Sequence, residues 1–158
     1  MTENENTITR FYTAFANADV STMCECYDSK IKFRDPTFGL LNGEDVSQMW
    51  KMLIEKSHGN LQIELSEIKA GEYLGSAQWT ATYNFSKTNR KVVNIIRSQF
   101  HFKDGLIIKH TDDFDIWKWS KQAFGLFGFL FGWTGYMQKK IHEKALLSLK
   151  KYQETRLS

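Results

Sequence analysis

The sequence predicts an α+β fold in which helices cover one face of a curved antiparallel sheet. Two observations carry that reading. Apolar residues recur at helical spacing up to about residue 56, and at a period of two from residue 61 to residue 114. Each strand of the second part has one apolar and one polar face, and the apolar side needs a covering layer.

Each element has its own signal. Ile8, Phe11, Tyr12 and Phe15 place a helix over residues 7–18. Asp19 is the N-cap of a second short helix running to residue 27. Ile31, Phe33 and Asp35 share one side of a strand that ends at Pro36, the single proline. Phe38-Gly39 and Asn42-Gly43 carry turn or loop chemistry. Asn42 is the expected cap of a third helix, whose Glu44 and Asp45 suit the positive end of the helix dipole. Its apolar stripe is Val46, Met49, Trp50, Leu53 and Ile54, and His58-Gly59-Asn60 stops it.

Four strand faces follow. They are Leu61, Ile63 and Leu65; Ala77, Trp79, Ala81, Tyr83 and Phe85; Val92, Asn94, Ile96, Ser98, Phe100 and Phe102; and Leu106, Ile108, His110, Asp112 and Phe114. Gly71, Gly75, residues 87–90 and Asp104-Gly105 supply the turns. Residues 123–135 are nearly all Phe, Leu, Gly and Trp. That run is shorter than the roughly 20 apolar residues a membrane-spanning helix needs. Its glycines at 125, 128, 132 and 135 argue against one rigid helix. Met137, Ile141, Ala145, Leu149 and Tyr152 then trace an amphipathic helix. The chain thus reads as a main unit over 1–116 with a helical extension, 117–158, packed on the same domain.

Composition narrows the function classes. With 42% hydrophobic and 25% charged residues, the 158-residue chain is an ordinary soluble domain. Aromatics reach 15%, which suits a core, an interface or a ligand pocket. Residues 1–6 are polar and open no signal peptide, so a cytoplasmic location is expected. Cys24 and Cys26 stand two apart on a helix and point to different sides, so they read as structural thiols. No Cys/His set has zinc spacing, and neither a phosphate loop nor a G-x-S-x-G elbow occurs. No metal, cofactor or nucleic-acid partner is therefore expected.

Charge is divided unevenly. Residues 1–116 hold 13 basic and 16 acidic side chains, whereas 117–158 hold 8 basic and 2 acidic. A solvated lysine face on a terminal helix accounts for this. A membrane-surface contact by the basic tail and the Phe/Trp segment is the weaker reading, and membrane contact is not the expectation.

Five polar residues fall on apolar strand faces and are the candidates for chemistry. Asp35 closes the first strand, either as a working carboxylate or as a cap on nearby backbone N–H groups. Asp112 lies on the last strand, and a curling sheet would bring it to the same cavity as Asp35, where unequal surroundings could divide acid and base roles. His110 sits two residues from Asp112, roughly 7 Å along the strand, and can pair with it through side chains or a water. Ser98 and Asn94 can orient a ligand or satisfy buried backbone.

Three motifs in order and spacing resemble the nuclear transport factor 2-like superfamily, in its SnoaL-like and ketosteroid-isomerase-like branch. They are Phe11-Tyr12-Thr13-Ala14-Phe15-Ala16-Asn17-Ala18-Asp19, Phe33-Arg34-Asp35-Pro36 and Gly43-Glu44-Asp45-Val46, and the closing strand at 105–115 fits as well. The resemblance covers roughly residues 7–116. It implies a cone-shaped, cystatin-like α+β roll: a bent sheet wrapped around three helices, with a deep pocket and a homodimer through the outer sheet face.

It also implies roles. Asp35 matches the general base of ketosteroid isomerases, while the two oxyanion-hole positions correspond to Phe11 and Ser98. Asp112, within Thr111-Asp112-Asp113-Phe114-Asp115, matches the catalytic Asp of limonene epoxide hydrolases and SnoaL-type cyclases. Members like scytalone dehydratase use His and Asp, which keeps His110 among the catalytic candidates. The function implied is an isomerase, cyclase, dehydratase or epoxide hydrolase acting on an apolar, oxygen-bearing small molecule; the alternative is a non-catalytic binder or a dimeric interaction domain. Phe11, Phe15, Phe33, Trp50, Trp79, Tyr83 and Phe100 would form the apolar wall, with Ser98 as an orienting donor.

Overall fold

A computed structural model describes residues 1–157. Helix α1 (Glu3–Ala16) starts four residues before the expected position. The reason is a capping box: the Thr2 side chain accepts from Glu5 N, and the Glu5 carboxylate accepts from Thr2 N. Helix α2 (Val20–Glu25) is capped by Asp19, whose carboxylate accepts from Thr22 N at 3.1 Å. Strand β1 spans Tyr27–Asp35 and takes up residue 27, which the sequence reading gave to the helix.

The segment read as loop at 38–43 contains a strand, β2 (Gly39–Asn42), paired with β1 as a hairpin. Asn42 is held in that pairing opposite Lys32. It therefore does not cap helix α3 (Glu44–Lys56), whose N-cap is Gly43 at φ +57° with no side-chain bond. Helix α3 buries Val46, Met49, Trp50 and Met52; Leu53 and Ile54 are only partly covered.

Strands β3 (Gln62–Ala70), β4 (Leu74–Phe85), β5 (Arg90–Lys103) and β6 (Leu106–Asp113) form the expected antiparallel meander. The complete sheet runs β2-β1-β6-β5-β4-β3, a curved and unclosed layer. One pairing departs from the expectation: β1 lies parallel to β6, so the sheet is mixed. A parallel pair needs a long crossover, which the segment between the two strands supplies, and strand alternation alone carries no sign of direction.

Burial along β5 alternates without a break, with Val92, Asn94, Ile96, Ser98, Phe100 and Phe102 inward. In β6 the expected parity fails at its start. A register shift around Ile108 turns Ile107 into the core, and His110 and Asp112 then resume the inward face.

The chain ends in helices α4 (Ile116–Phe124), α5 (Leu126–Phe131) and α6 (Gly135–Leu157). They break at Gly125 and at residues 132–134. Leu149 of α6 joins the main core, whereas Trp119, Ala123, Met137 and Ile141 make a second cluster with Val92. Among the described residues, no helix is long and apolar enough to cross a membrane.

Helix α5 lies directly on α4. A Cβ at Gly128 would stand 1.9 Å from the Ser120 carbonyl oxygen, which no small adjustment relieves. Gly128→Ala should therefore cost about 2 kcal/mol in urea unfolding, the usual scale of overpacking. Gly71→Ala, with open space around it, should leave the midpoint unchanged.

Candidate functional site

The inward sheet face and α3 enclose a cavity of about 500 Å³, completed by residues of α4, α5 and α6. Six of the residues expected at the site line it: Asp35, Asp112, Phe15, Trp50, Trp79 and Tyr83. Asn94 lines it too. The other five do not. Phe11, Phe33, Phe100, His110 and Ser98 are fully buried beneath the cavity floor. Phe11, Phe33 and Phe100 are therefore not pocket wall. They pack around the His110 ring, at centroid distances of 5.6, 5.2 and 4.6 Å.

Those buried residues hold Asp112 in place. The Ser98–Asp112 pairing across β5 and β6 sets Ser98 Oγ 2.5 Å from Asp112 Oδ1. His110 Nε2 lies 2.7 Å from the same oxygen, a direct contact. Ser98 Oγ also lies 2.8 Å from Trp79 Nε1 and 2.8 Å from Tyr12 Oη. His110 Nδ1 lies 2.8 Å from Tyr27 Oη, which accepts from Trp50 Nε1 at 3.0 Å.

For an ionised Asp112 and a neutral His110, proton counting gives one consistent set of directions. Indole N–H groups only donate, and a carboxylate only accepts. Ser98 therefore accepts from Trp79 and Tyr12 and gives its one proton to Asp112. Tyr27 accepts from Trp50 and donates to His110 Nδ1, which leaves the His110 proton on Nε2 for Asp112. Every proton in this network is used, and both branches end on Oδ1.

Burial, and after it the Asp112 charge, raises the Tyr12 and Tyr27 phenols well above their ordinary range, so both remain proton donors. Asp112 Oδ2 accepts no hydrogen bond among the described residues, and Asp112 borders the cavity.

Asp35 is held differently. Its Oδ1 accepts from Thr37 N at 3.0 Å and Phe38 N at 2.6 Å, and the Thr37 hydroxyl reaches both oxygens. This closes the β1–β2 hairpin, so Asp35 caps backbone as well as lining the cavity. Burial raises its carboxyl to about 6, against the opposing Phe38 N–H bond, and the Asp112 charge adds to the rise.

Tyr83 is the third polar group. Its oxygen accepts from Trp119 Nε1 at 2.8 Å, and no acceptor for its own proton is present among the described residues. At the open end stand Lys56, Lys87, Lys140 and Lys144, all exposed yet lining the cavity. Partial burial lowers the Lys87 ammonium, and the charges of Lys144, Lys56 and Lys151 lower it further.

Sequence reasoning missed Tyr12 and Tyr27 as site residues; it expected the helices of 117–158 to pack over the pocket mouth or along the sheet but did not single out Trp119, Phe124, Met137 and Ile141 as wall. Tyr12 carried a signal, since it neighbours Phe11 on the helix stripe and is the tyrosine that reaches Ser98. Tyr27 lies beyond a register shift in β1, which hides its face. Among the described residues no cluster of His, Cys, Asp and Glu could hold a metal ion.

Two measurements follow from this geometry. Ser98→Ala leaves the Trp79 N–H and an Asp112 lone pair without their buried partner, so unfolding free energy should fall by about 2–4 kcal/mol. Asp35 binds its proton more tightly in the folded chain, so its charge opposes folding as pH rises from about 4 to 6. Relative to Asp35→Asn, which retains an acceptor for the turn, the parent chain should lose roughly 2 kcal/mol between pH 4 and pH 7. Parallel stability–pH curves for the two proteins would contradict that assignment.

Comparison with known proteins fits this architecture. The structure superposes on Bal32a from a soil-derived mobile gene cassette with a TM-score of 0.68 at 20% identity, covering 77% of this chain and 96% of that one. A candidate SnoaL-like polyketide cyclase from Jannaschia sp. CCS1 gives 0.67 at 14% identity, covering 77% and 91%. TerC, crystallised with polyporic acid, gives 0.63 at 13% identity, covering 72% and 92%. No curated protein matches the chain by sequence. The family model for the SnoaL-like domain matches residues 8–110, well over half of the sequence. The chain belongs to the SnoaL-like domain family, within the nuclear transport factor 2-like superfamily.

Proposed function

We propose that this SnoaL-like pocket protein is a cofactor-independent acid/base catalyst acting on an apolar, oxygen-bearing small molecule. The observation that carries the reading is Asp112. One of its oxygens is fixed by Ser98 and His110, and the carboxylate borders an apolar cavity with the other unpaired. A base held this way loses no orientation when substrate binds.

In this reading Asp112 Oδ2 takes a proton from the carbon beside a substrate carbonyl. The Tyr83 O–H stabilises the oxygen on which charge develops. Asp35, raised to about 6, is the second proton carrier near neutral pH. His110 and Ser98 act through Asp112 as positioning residues. The lysines at the open end favour a substrate with an anionic far end. The same enolate serves isomerisation by reprotonation or cyclisation by attack on an internal carbonyl; opening an epoxide or losing water uses the same pair of carboxyl groups.

One observation favours non-catalytic binding. Asp35 Oδ1 is already occupied by turn donors. The two readings separate on turnover. Against a panel of enolisable polyketide-like ketones and epoxides, followed by mass spectrometry, Asp112→Asn should lower kcat at least 100-fold with KM within a few-fold. Asp35→Asn should remove a pH limb near 6. Unchanged turnover in both variants would end the carboxylate mechanism. Binding of dodecanoate by calorimetry with no turnover of any panel member would establish the binder. The outer face of β5, with Val93 and Ile95 exposed, supports a homodimer, which sedimentation would test.

A further inference from the structure

Helix α5 reverses the usual arrangement of an amphipathic helix. The one buried residue in it is Gly128, while Leu126, Phe127, Phe129, Leu130 and Phe131 are all exposed. Trp133 and Tyr136 extend the same surface at 63% and 72% exposure. The glycines explain how this is built. Gly128 and Gly132 lie one turn apart, and a Cβ on either would strike Ser120 or the helix itself. The backbone of α5 therefore sits flat on α4, and its large side chains are left exposed, with Phe127 also reaching the cavity. A continuous aromatic surface of this kind on a soluble chain marks a contact site.

Charge decides what meets it. Residues 116–142 contain four lysines, at 118, 121, 139 and 140, and no aspartate or glutamate. The cations border the aromatic groups. Lys121 Nζ stands 4.3 Å from the centroid of Trp117, which stacks on Phe129. Lys140 Nζ stands 5.1 Å from that of Tyr136, and the Arg90 guanidinium packs at Gly125. A second copy of this face would bring like charges together. An anionic bilayer surface instead offers apolar depth for the rings and negative charge for the rim, the combination that peripheral membrane segments use.

The same segment joins the cavity. Phe124, Phe127 and Lys140 line it while bordering the exposed patch. We infer that α5 and its flanks dock the protein on an anionic lipid bilayer and that the cavity takes its apolar ligand from there. The second clause rests on the pocket reading above; the first does not. This revises the expectation that the chain makes no membrane contact.

The experiment is flotation of the full chain with vesicles of phosphatidylcholine alone or with one quarter phosphatidylglycerol. Partitioning should be at least tenfold stronger with the anionic lipid and should weaken between 50 and 500 mM salt. The double variant Leu130→Glu/Phe131→Glu, neither of which lines the cavity, should lose at least tenfold in partitioning while its urea midpoint holds. Lys118→Glu/Lys139→Glu should remove the preference for anionic lipid. Absence of the parent chain from the floated anionic vesicles at 50 mM salt overturns the docking. So does sedimentation showing that Leu130→Glu/Phe131→Glu converts a dimer to a monomer, which assigns the surface to a second copy. Dodecanoate binding separates the two readings. Vesicle loss with dodecanoate binding intact sinks the docking alone, whereas vesicle binding without dodecanoate binding sinks the delivery of ligand to the cavity.

Discussion

The shared oxygen of Asp112 is the interaction on which the arrangement depends. Ser98 and His110 meet at it; Ser98 is tied by hydrogen bonds to the Trp79 indole and the Tyr12 phenol, and His110 to the Tyr27 phenol, which in turn accepts from the Trp50 indole. Through Tyr12 it reaches α1, through Trp50 α3, through Tyr27 β1 and through Trp79 β4. Buried polar groups left unpaired are costly, so a network with every donor used confines the packing of helices on sheet to one register. The aromatic rings around it exclude water and leave these groups no other partners.

This explains why the two carboxylates of the cavity differ. Asp112 receives side-chain donors that are themselves anchored in the core. Asp35 receives mainly backbone donors from a hairpin turn, and its burial is not matched by a cation, so its proton is held to about 6. Unequal surroundings for two like groups in one apolar space are the physical basis for giving them unequal roles.

The C-terminal helices complete the cavity on the side the sheet leaves open. Their apolar residues divide by destination. Met137, Ile141 and Leu149 turn inward along α6, whereas α5 sends its bulk outward because glycines hold its backbone against α4. One short stretch of sequence thereby contributes to the cavity wall and also presents an aromatic surface rimmed by cations.

The sequence by itself determined the fold class, the strand faces of the meander and the placement of Asp112, His110 and Ser98 on inward positions, because these follow from periodicities of two and of about 3.6. Its resemblance to a family pointed to the same pocket. Tertiary structure decided the rest. The parallel pairing of β1 with β6, the shift at Ile108, the choice of Tyr12 over Phe11, and the burial of Phe33 and Phe100 behind the cavity all depend on contacts between distant segments. The outward face of α5 is of the same kind. A run of Phe, Leu and Gly reads equally well as core, and only the approach of Gly128 to the Ser120 carbonyl selects which side is covered.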